Sequence, residues 1–200
     1  ASTCNAAITV EDNMSPSAIC QNLTVQLDAT GAASITAAQV GSNSTDNCDI
    51  TMTLNQTDFD CDDVGANTVT LTVTDDGGNP NTCTATITVE DNIDPTVVCQ
   101  NLTVQLDASG AASITAGQVD NGSFDNCGIA SMSLDQTTFG CGDVGTNTVT
   151  LTVTDTNGNQ NTCTATITVE DNINPTAICQ NLTVQLDANG AASITAGQVD

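Results

Sequence analysis

TNTVTLTVTDTNGNQNTCTATITVEDN, Thr146 to Asn172, holds two runs of strict polar/apolar alternation on either side of a turn. Val149, Leu151 and Val153 alternate with threonines before Asp155-Thr156-Asn157-Gly158-Asn159, and Ala165, Ile167 and Val169 do so after it. Alternation of period two across such a turn predicts an antiparallel hairpin with one buried and one solvated face. The same hairpin stands earlier as ANTVTLTVTDDGGNPNTCTATITVEDN, Ala66 to Asn92, and its tail opens the chain as STCNAAITVEDN.

Working outward, CQNLTVQLDA starts at Cys20, Cys99 and Cys179, so the period is 79 and then 80 residues (99 − 20 and 179 − 99). That period is too long for a solenoid coil or propeller blade and suits a small β-domain. The expected division is residues 1–10 as the last strand of a preceding repeat, two whole repeats at 11–89 and 90–169, and residues 170–200 as the first two strands of a following one. The 200 residues read as a window on a longer tandem array. The two incomplete ends cannot complete each other between copies, because the middle strands of a domain are missing from both. Within each repeat the expected strands include Asn22 to Asp28, with Leu23, Val25 and Leu27 inward, and Ala33 to Ala37.

The chain has 24 acidic residues and no Lys, Arg or His. Nucleic acid is bound through cationic side chains, so the composition argues against that class and against docking on anionic lipid. No apolar run approaches membrane-spanning length. One-sided charge often accompanies disorder, but sustained alternation and ten cysteines indicate folded domains. Ten cysteines in acidic, Thr-rich β-repeats point to disulfides in an oxidising, extracellular compartment. Zinc fits less well, since there is no His and no CxxC pair. Three phenylalanines are the only aromatics, and a core this thin is usually supplemented by covalent or ionic staples.

The second repeat carries Asp94-Pro95-Thr96-Val97-Val98-Cys99, Phe124-Asp125-Asn126-Cys127-Gly128, Phe139 with Asp143-Val144-Gly145, Val149 to Asp155, Gly158-Asn159 and Thr162-Cys163-Thr164. Together these resemble the hyalin-repeat (HYR) family, although a cysteine replaces the family's usual proline in the Phe139 segment. The resemblance implies an all-β fold of immunoglobulin-like sandwiches in tandem. It also implies extracellular adhesive proteins, among them long surface proteins of Bacteroidetes-type bacteria. In that family the first and last cysteines recur most widely, which implies pairing Cys20 with Cys83 and Cys99 with Cys163 and leaves Cys48 for Cys61 and Cys127 for Cys141. A rival scheme joins Cys4 to Cys20, Cys83 to Cys99 and Cys163 to Cys179. Sixteen mostly extended residues span roughly 50 Å against the ~6 Å a bridge allows, so that scheme fails on reach.

If first and last strands run parallel, as such sandwiches have them, the leading segment, the loop after the second strand and the hairpin turn share one pole. In the second repeat that pole gathers Glu90, Asp91, Asp94, Asp120, Asp125 and Asp155, six of the nine acids in residues 90–169, with Asn92, Asn126 and Asn157. Like charges this close are costly, and hard oxygen ligands in loops are what Ca²⁺ binds. The expectation is a Ca²⁺ site at each junction: Glu11, Asp12, Asp46, Asp75 and Asp76 at the first, Glu90, Asp91, Asp94, Asp125, Asp155 and Asn157 at the second, and Glu170 with Asp171 at the third. The plainer reading is that these residues form turns and satisfy backbone amides, since no EF-hand spacing is present.

Each hairpin also has a threonine-lined outer face (Thr68, Thr70, Thr72 and Thr74 with Thr84, Thr86 and Thr88), which β-propensity alone explains. Asn22, Asn101 and Asn181 lie in glycosylation sequons at outward positions, so covalent glycans are candidate partners. Bases and cationic clamps are missing, and no enzyme is expected. The sequence therefore reads as an extracellular or cell-surface array, the shaft of an adhesin or filament, whose partners are neighbouring repeats and other copies in a fibre. The alternative is a module that binds glycan or ice through the threonine face.

Overall fold

The two long hairpins form as the alternation requires. The structure, a computed structural model, describes residues 3–199. In the first repeat β1 (Leu23–Gln26), β2 (Ala33–Ser34), β3 (Ile50–Leu54), β4 (Asp58–Phe59), β5 (Gly65–Asp75) and β6 (Pro80–Glu90) follow in order, with a single-turn helix α1 (Ala37–Val40) between β2 and β3. The second repeat copies this as β7 (Leu102–Gln105), β8 (Ala111–Ser113), α2 (Ala116–Val119), β9 (Ile129–Leu134), β10 (Thr138–Gly140), β11 (Gly145–Asp155) and β12 (Gln160–Glu170).

In each repeat a four-stranded sheet packs against a two-stranded one. The larger sheets have the order β1-β6-β5-β3 and β7-β12-β11-β9; the smaller pairs are β2-β4 and β8-β10. β5 and β6 pair antiparallel from Gly65 opposite Val89 to Thr74 opposite Pro80, and β1 joins β6 in parallel, Leu23 opposite Ile87. The apolar rank of this hairpin is fully enclosed, as are its counterparts Val149, Leu151, Val153, Ile167 and Val169. Leu27, Ile35, Val40 and Phe59 close the core from the opposite layer. Covering a sheet's apolar face with a second layer in this way yields an all-β, immunoglobulin-type sandwich.

Two expectations change. The second strand stops at Ser34 rather than Ala37, because Thr36 caps a helical turn: its hydroxyl accepts from the Gln39 N–H at 3.3 Å while Gln39 Oε1 accepts from the Thr36 N–H at 2.7 Å. This is a capping box, and it turns Val40 into the core. The flanking segments also differ. Residues 3–10 and 171–195 contain no strand, and Ile8, Val10, Ile178 and Leu186 are exposed. The latter segment keeps its local devices, the Asp187 turn and the Thr195–Gln198 capping box. β1 and β7 are held by the last strand of their own repeats, and no stretch among the described residues offers Leu182 to Leu186 that partner. Residues 1, 2 and 200, the outer ends of these segments, lie outside the described residues.

Candidate metal centre at the repeat junction

Strand direction builds the junction. β6 ends at Glu90, and the chain passes straight into the pole of the second repeat where the loop before β9 and the β11–β12 turn meet. There Asp91, Asp125 and Asp155 each offer a carboxylate oxygen, and the three atoms lie within 4.8 Å of one another. Asp91 is 6% exposed and Asp155 1%.

Part of this cluster is turn chemistry. Asp155 Oδ1 accepts from the N–H groups of Asn157 (2.8 Å), Gly158 (2.6 Å) and Asn159 (2.8 Å), and Oδ2 accepts from Asn159 Nδ2 at 2.8 Å. Asn159 Nδ2 also donates to the Asp91 carbonyl at 3.0 Å, which draws the linker onto the turn. Asp125 Oδ2 accepts from the Cys127 N–H at 2.8 Å, and Asp91 Oδ1 from the Ile93 N–H and Asn126 Nδ2, both at 3.2 Å. Turn formation does not account for the other oxygens. Asp91 Oδ2, Asp125 Oδ1 and Asn126 Oδ1 are buried with no hydrogen-bond partner, as is Asn157 Nδ2. Buried carboxylate oxygens without a partner are expensive, and the chain has no cationic side chain to supply one.

The other expected ligands lie elsewhere. Glu90 Oε2 accepts from Gln26 Nε2 at 2.7 Å, on the first repeat's side. Asp94 is exposed. Asp120 Oδ1 accepts from the Ser123 N–H at 3.0 Å, and the Ser123 hydrogen bonds hold its carboxyl below the usual range. At the chain's first junction Asp12 and Asp46 converge with Cys48, again within 4.8 Å, whereas Glu11, Asp75 and Asp76 stay outside the cluster. The Met14 N–H holds Asp12 below the ordinary carboxylate range, and the hydrogen bond to Asp12 pushes the Cys48 thiol up to about 11. Asp171 is exposed, and Glu170 accepts from Gln105 Nε2 at 2.6 Å. Asn126, which donates to the Asp28 carbonyl of the first repeat at 3.3 Å, was named only as an accompanying residue by the sequence argument.

The cysteines reorganise the picture further. Cys20 bonds to Cys83 and Cys99 to Cys163, with Cα atoms 5.8 and 6.0 Å apart. Cys61 bonds to Cys127, across the junction, with Cα atoms 5.3 Å apart. Cys48 and Cys141 are free and exposed. The expected pairs Cys48–Cys61 and Cys127–Cys141 are therefore not formed, for a reason of distance. Cys48 stands by the Asp75 end of β5, where the Asp76 N–H bonds to the Asp49 carbonyl. Cys61 stands by the Gly65 end, with β5's eleven residues between them. Eleven extended residues span about 35 Å.

Asn22 and Asn101 are exposed and use Oδ1 to accept from the N–H groups of Thr86 and Thr166, each at 2.8 Å, at the β6 and β12 edges. Asn181 lies in the segment without strands.

Residues 90–169 match the family model described as the HYR domain. This repeat is a HYR domain. The HYR domain and the three disulfides are those of an extracellular, adhesion-type repeat. Among solved structures similar to the chain are PcdhgB3 EC1-4 (14% identity, TM-score 0.40, covering 79% of this chain and 50% of that one) and human mucin-like protocadherin EC1-2 (13%, 0.41, 78% and 98%). Drosophila N-cadherin EC1-4 is a third (13%, 0.41, 78% and 50%). The chain thus spans about half the length of the first and third of these. No curated protein sequence matches it. Among the described residues no helix is long and apolar enough to cross a membrane.

Proposed function

We propose that this chain is a length of shaft from an extracellular adhesin or filament, divided into repeats at 11–89 and 90–169, with a Ca²⁺ ion stiffening the junction. The observation that carries the metal reading is the set of buried oxygens without partners, Asp91 Oδ2, Asp125 Oδ1 and Asn126 Oδ1, gathered where no protein cation exists. Carboxylate and amide oxygens are the donors Ca²⁺ takes. The orphaned amide fits the same reading. Thr156 Oγ1 lies 2.8 Å from Asn157 Oδ1 and 3.2 Å from the Cys127 carbonyl. With the Asn157 amide turned over, the hydroxyl still donates to Cys127 and now accepts from Asn157, and the amide oxygen takes the place of the orphaned nitrogen.

Asp91 belongs to the linker, whereas Asp125 and Asp155 belong to the second repeat. An ion on all three ties the linker to the pole, while Cys61–Cys127 ties the same pole to the first repeat. Titration calorimetry on the 200-residue chain is expected to show Ca²⁺ binding, and excess EDTA is expected to lower the melting temperature. A melting curve that EDTA leaves unchanged, with no heat of Ca²⁺ binding, rejects the metal reading and leaves a shaft held by protein contacts alone.

A further inference from the structure

Both whole repeats carry the sequon Asn-Leu-Thr, at Asn22 and at Asn101, and neither the shaft nor its metal makes use of it. We propose that Asn22 and Asn101 are attachment sites for N-linked glycans, one at the edge strand of each repeat, with the sugar carried on Nδ2. The proposal stands on strand geometry and is independent of the metal reading.

Backbone position comes first. β1 is the outermost strand of its sheet and joins β6 in parallel from Leu23 opposite Ile87, so Asn22 sits one residue before the ladder, beside Thr86. Leu23 packs against the core. Side chains alternate across a strand, which places Asn22 and Thr24 together on the outer face, and both are exposed. β7 repeats the placement: Leu102 lies opposite Ile167, and Asn101 and Thr103 are exposed. No further strand of either sheet lies beyond β1 or β7 to crowd a sugar.

Each asparagine is held by one atom and leaves the other unused. Oδ1 accepts from the N–H of Thr86 or Thr166 at 2.8 Å, whereas Nδ2 of either residue has no hydrogen bond among the described residues. Glycosylation replaces one hydrogen of Nδ2 and leaves Oδ1 an acceptor, so the bond to β6 or β12 survives it.

The fold does not need the amide for that bond. Asn55 Oδ1 accepts from the Thr70 N–H at 2.7 Å, and at the equivalent place in the second repeat Asp135 Oδ1 accepts from the Thr150 N–H at 2.8 Å. A carboxylate therefore serves a strand edge as well as an amide does, and that exchange removes the Asn55-Gln56-Thr57 sequon from the second repeat. Asn22 and Asn101 keep both the amide and the threonine two residues on. Theirs is the only sequon that both repeats carry at the same position. The open edge of a strand invites pairing with other chains, and a bulky hydrophilic group at its first residue blocks that approach.

Transfer needs a glycosyl donor, taken here as a lipid-linked oligosaccharide pyrophosphate, and its transferase. A bond forms between Nδ2 and the anomeric carbon of the sugar. The bond from that carbon to the phosphate oxygen breaks, and the lipid pyrophosphate leaves with the electron pair. Nδ2 gives up one proton to a base of the transferase, and nothing is oxidised or reduced.

The test is peptide mass spectrometry of the protein from its own source, digested at aspartate because the chain has no Lys or Arg for trypsin. The peptides holding Asn22 and Asn101 are expected to carry a glycan that fragmentation places on the asparagine. Either peptide found only unmodified overturns the proposal, and so does a sugar placed on the Thr24 or Thr103 oxygen instead. Two variants made in the same cells separate the sequon from mere exposure. Thr24→Ala with Thr103→Ala is expected to lose both glycans although each asparagine remains, and Thr24→Ser with Thr103→Ser to keep them. Glycans that persist in the alanine variant, or vanish in the serine one, also overturn it.

Discussion

Asp91 is the residue on which the junction turns, because one of its oxygens is engaged and the other is not. Changing it to asparagine keeps its shape and removes its charge, which separates the metal reading from simple turn formation. In EDTA, Asp91→Asn is expected to melt at or above the unsubstituted chain, since repulsion from Asp125 and Asp155 is relieved. In Ca²⁺ it should melt below it, with affinity at least tenfold weaker by calorimetry, or about 1.4 kcal/mol. A lower melting temperature under both conditions would make Asp91 a folding residue only. Gly31 offers a second test. Alanine at φ +76° costs roughly 1–2 kcal/mol wherever it falls. At Gly31 the added carbon also presses on Asn126 of the neighbouring repeat, which at Gly110 it does not. Urea unfolding is therefore expected to show Gly31→Ala as the more harmful of the two.

Among the elements, the tight turns after β1 and β7 make the acid response predictable. Asp28 accepts from the Thr30 and Ala32 N–H groups and Asp107 from those of Ser109 and Ala111. The Thr30 hydroxyl for Asp28, and the Ser109 hydroxyl for Asp107, are the largest causes holding these carboxyls below their ordinary 3.8. A depressed folded pKa contributes stability that is complete above 3.8 and is lost as pH falls through the lower folded value. Melting between pH 5 and 2 is thus expected to show a decline below 3.8 that shrinks in an Asp28→Ala, Asp107→Ala variant, and an equal decline in both would remove these turns from the account.

These elements also show what the sequence could convey. Alternation at Val69 to Val89 reports burial directly, because each residue's face is set by its own position in the strand, so hairpin and core were legible. The capping boxes at Thr36–Gln39 and Thr115–Gln118 were legible too, as a T-x-x-Q signal, but lay inside a stretch read as strand. Convergence of Asp91, Asp125 and Asp155 followed from topology once β1 was taken as parallel to β6. The partner of Cys61 did not, because every copy carries the same cysteines and the family rule speaks only for the first and last. Choosing between a neighbour 13 residues away in the same repeat (61 − 48) and one in the next repeat needs the position of each loop along β5.

For the whole molecule the question is which link sets the angle between repeats. Cys61–Cys127 closes a 66-residue separation, a constraint worth about 4 kcal/mol against the unfolded chain on the loop-entropy account. One covalent bond still leaves rotation about its own axis. The linker supplies a second point, with Asn159 Nδ2 on the Asp91 carbonyl and Asn92 Nδ2 on Gln26 Oε1 at 2.6 Å, and an ion on Asp91 would make that point rigid. Small-angle scattering can weigh these links, using Cys61→Ser rather than a reductant so that Cys20–Cys83 and Cys99–Cys163 stay intact. The unsubstituted chain in Ca²⁺ is expected to scatter as an extended rod of two sandwiches. Removing either the bridge or the ion should broaden the distance distribution modestly, and Cys61→Ser in EDTA should broaden it most. If that last sample keeps the rod profile, neither link sets the angle, and the Asn126–Asp28 and Asn92–Gln26 hydrogen bonds between the repeats suffice. If Cys61→Ser alone already collapses the profile in saturating Ca²⁺, the bridge carries the rigidity and the cation serves only to neutralise the pole.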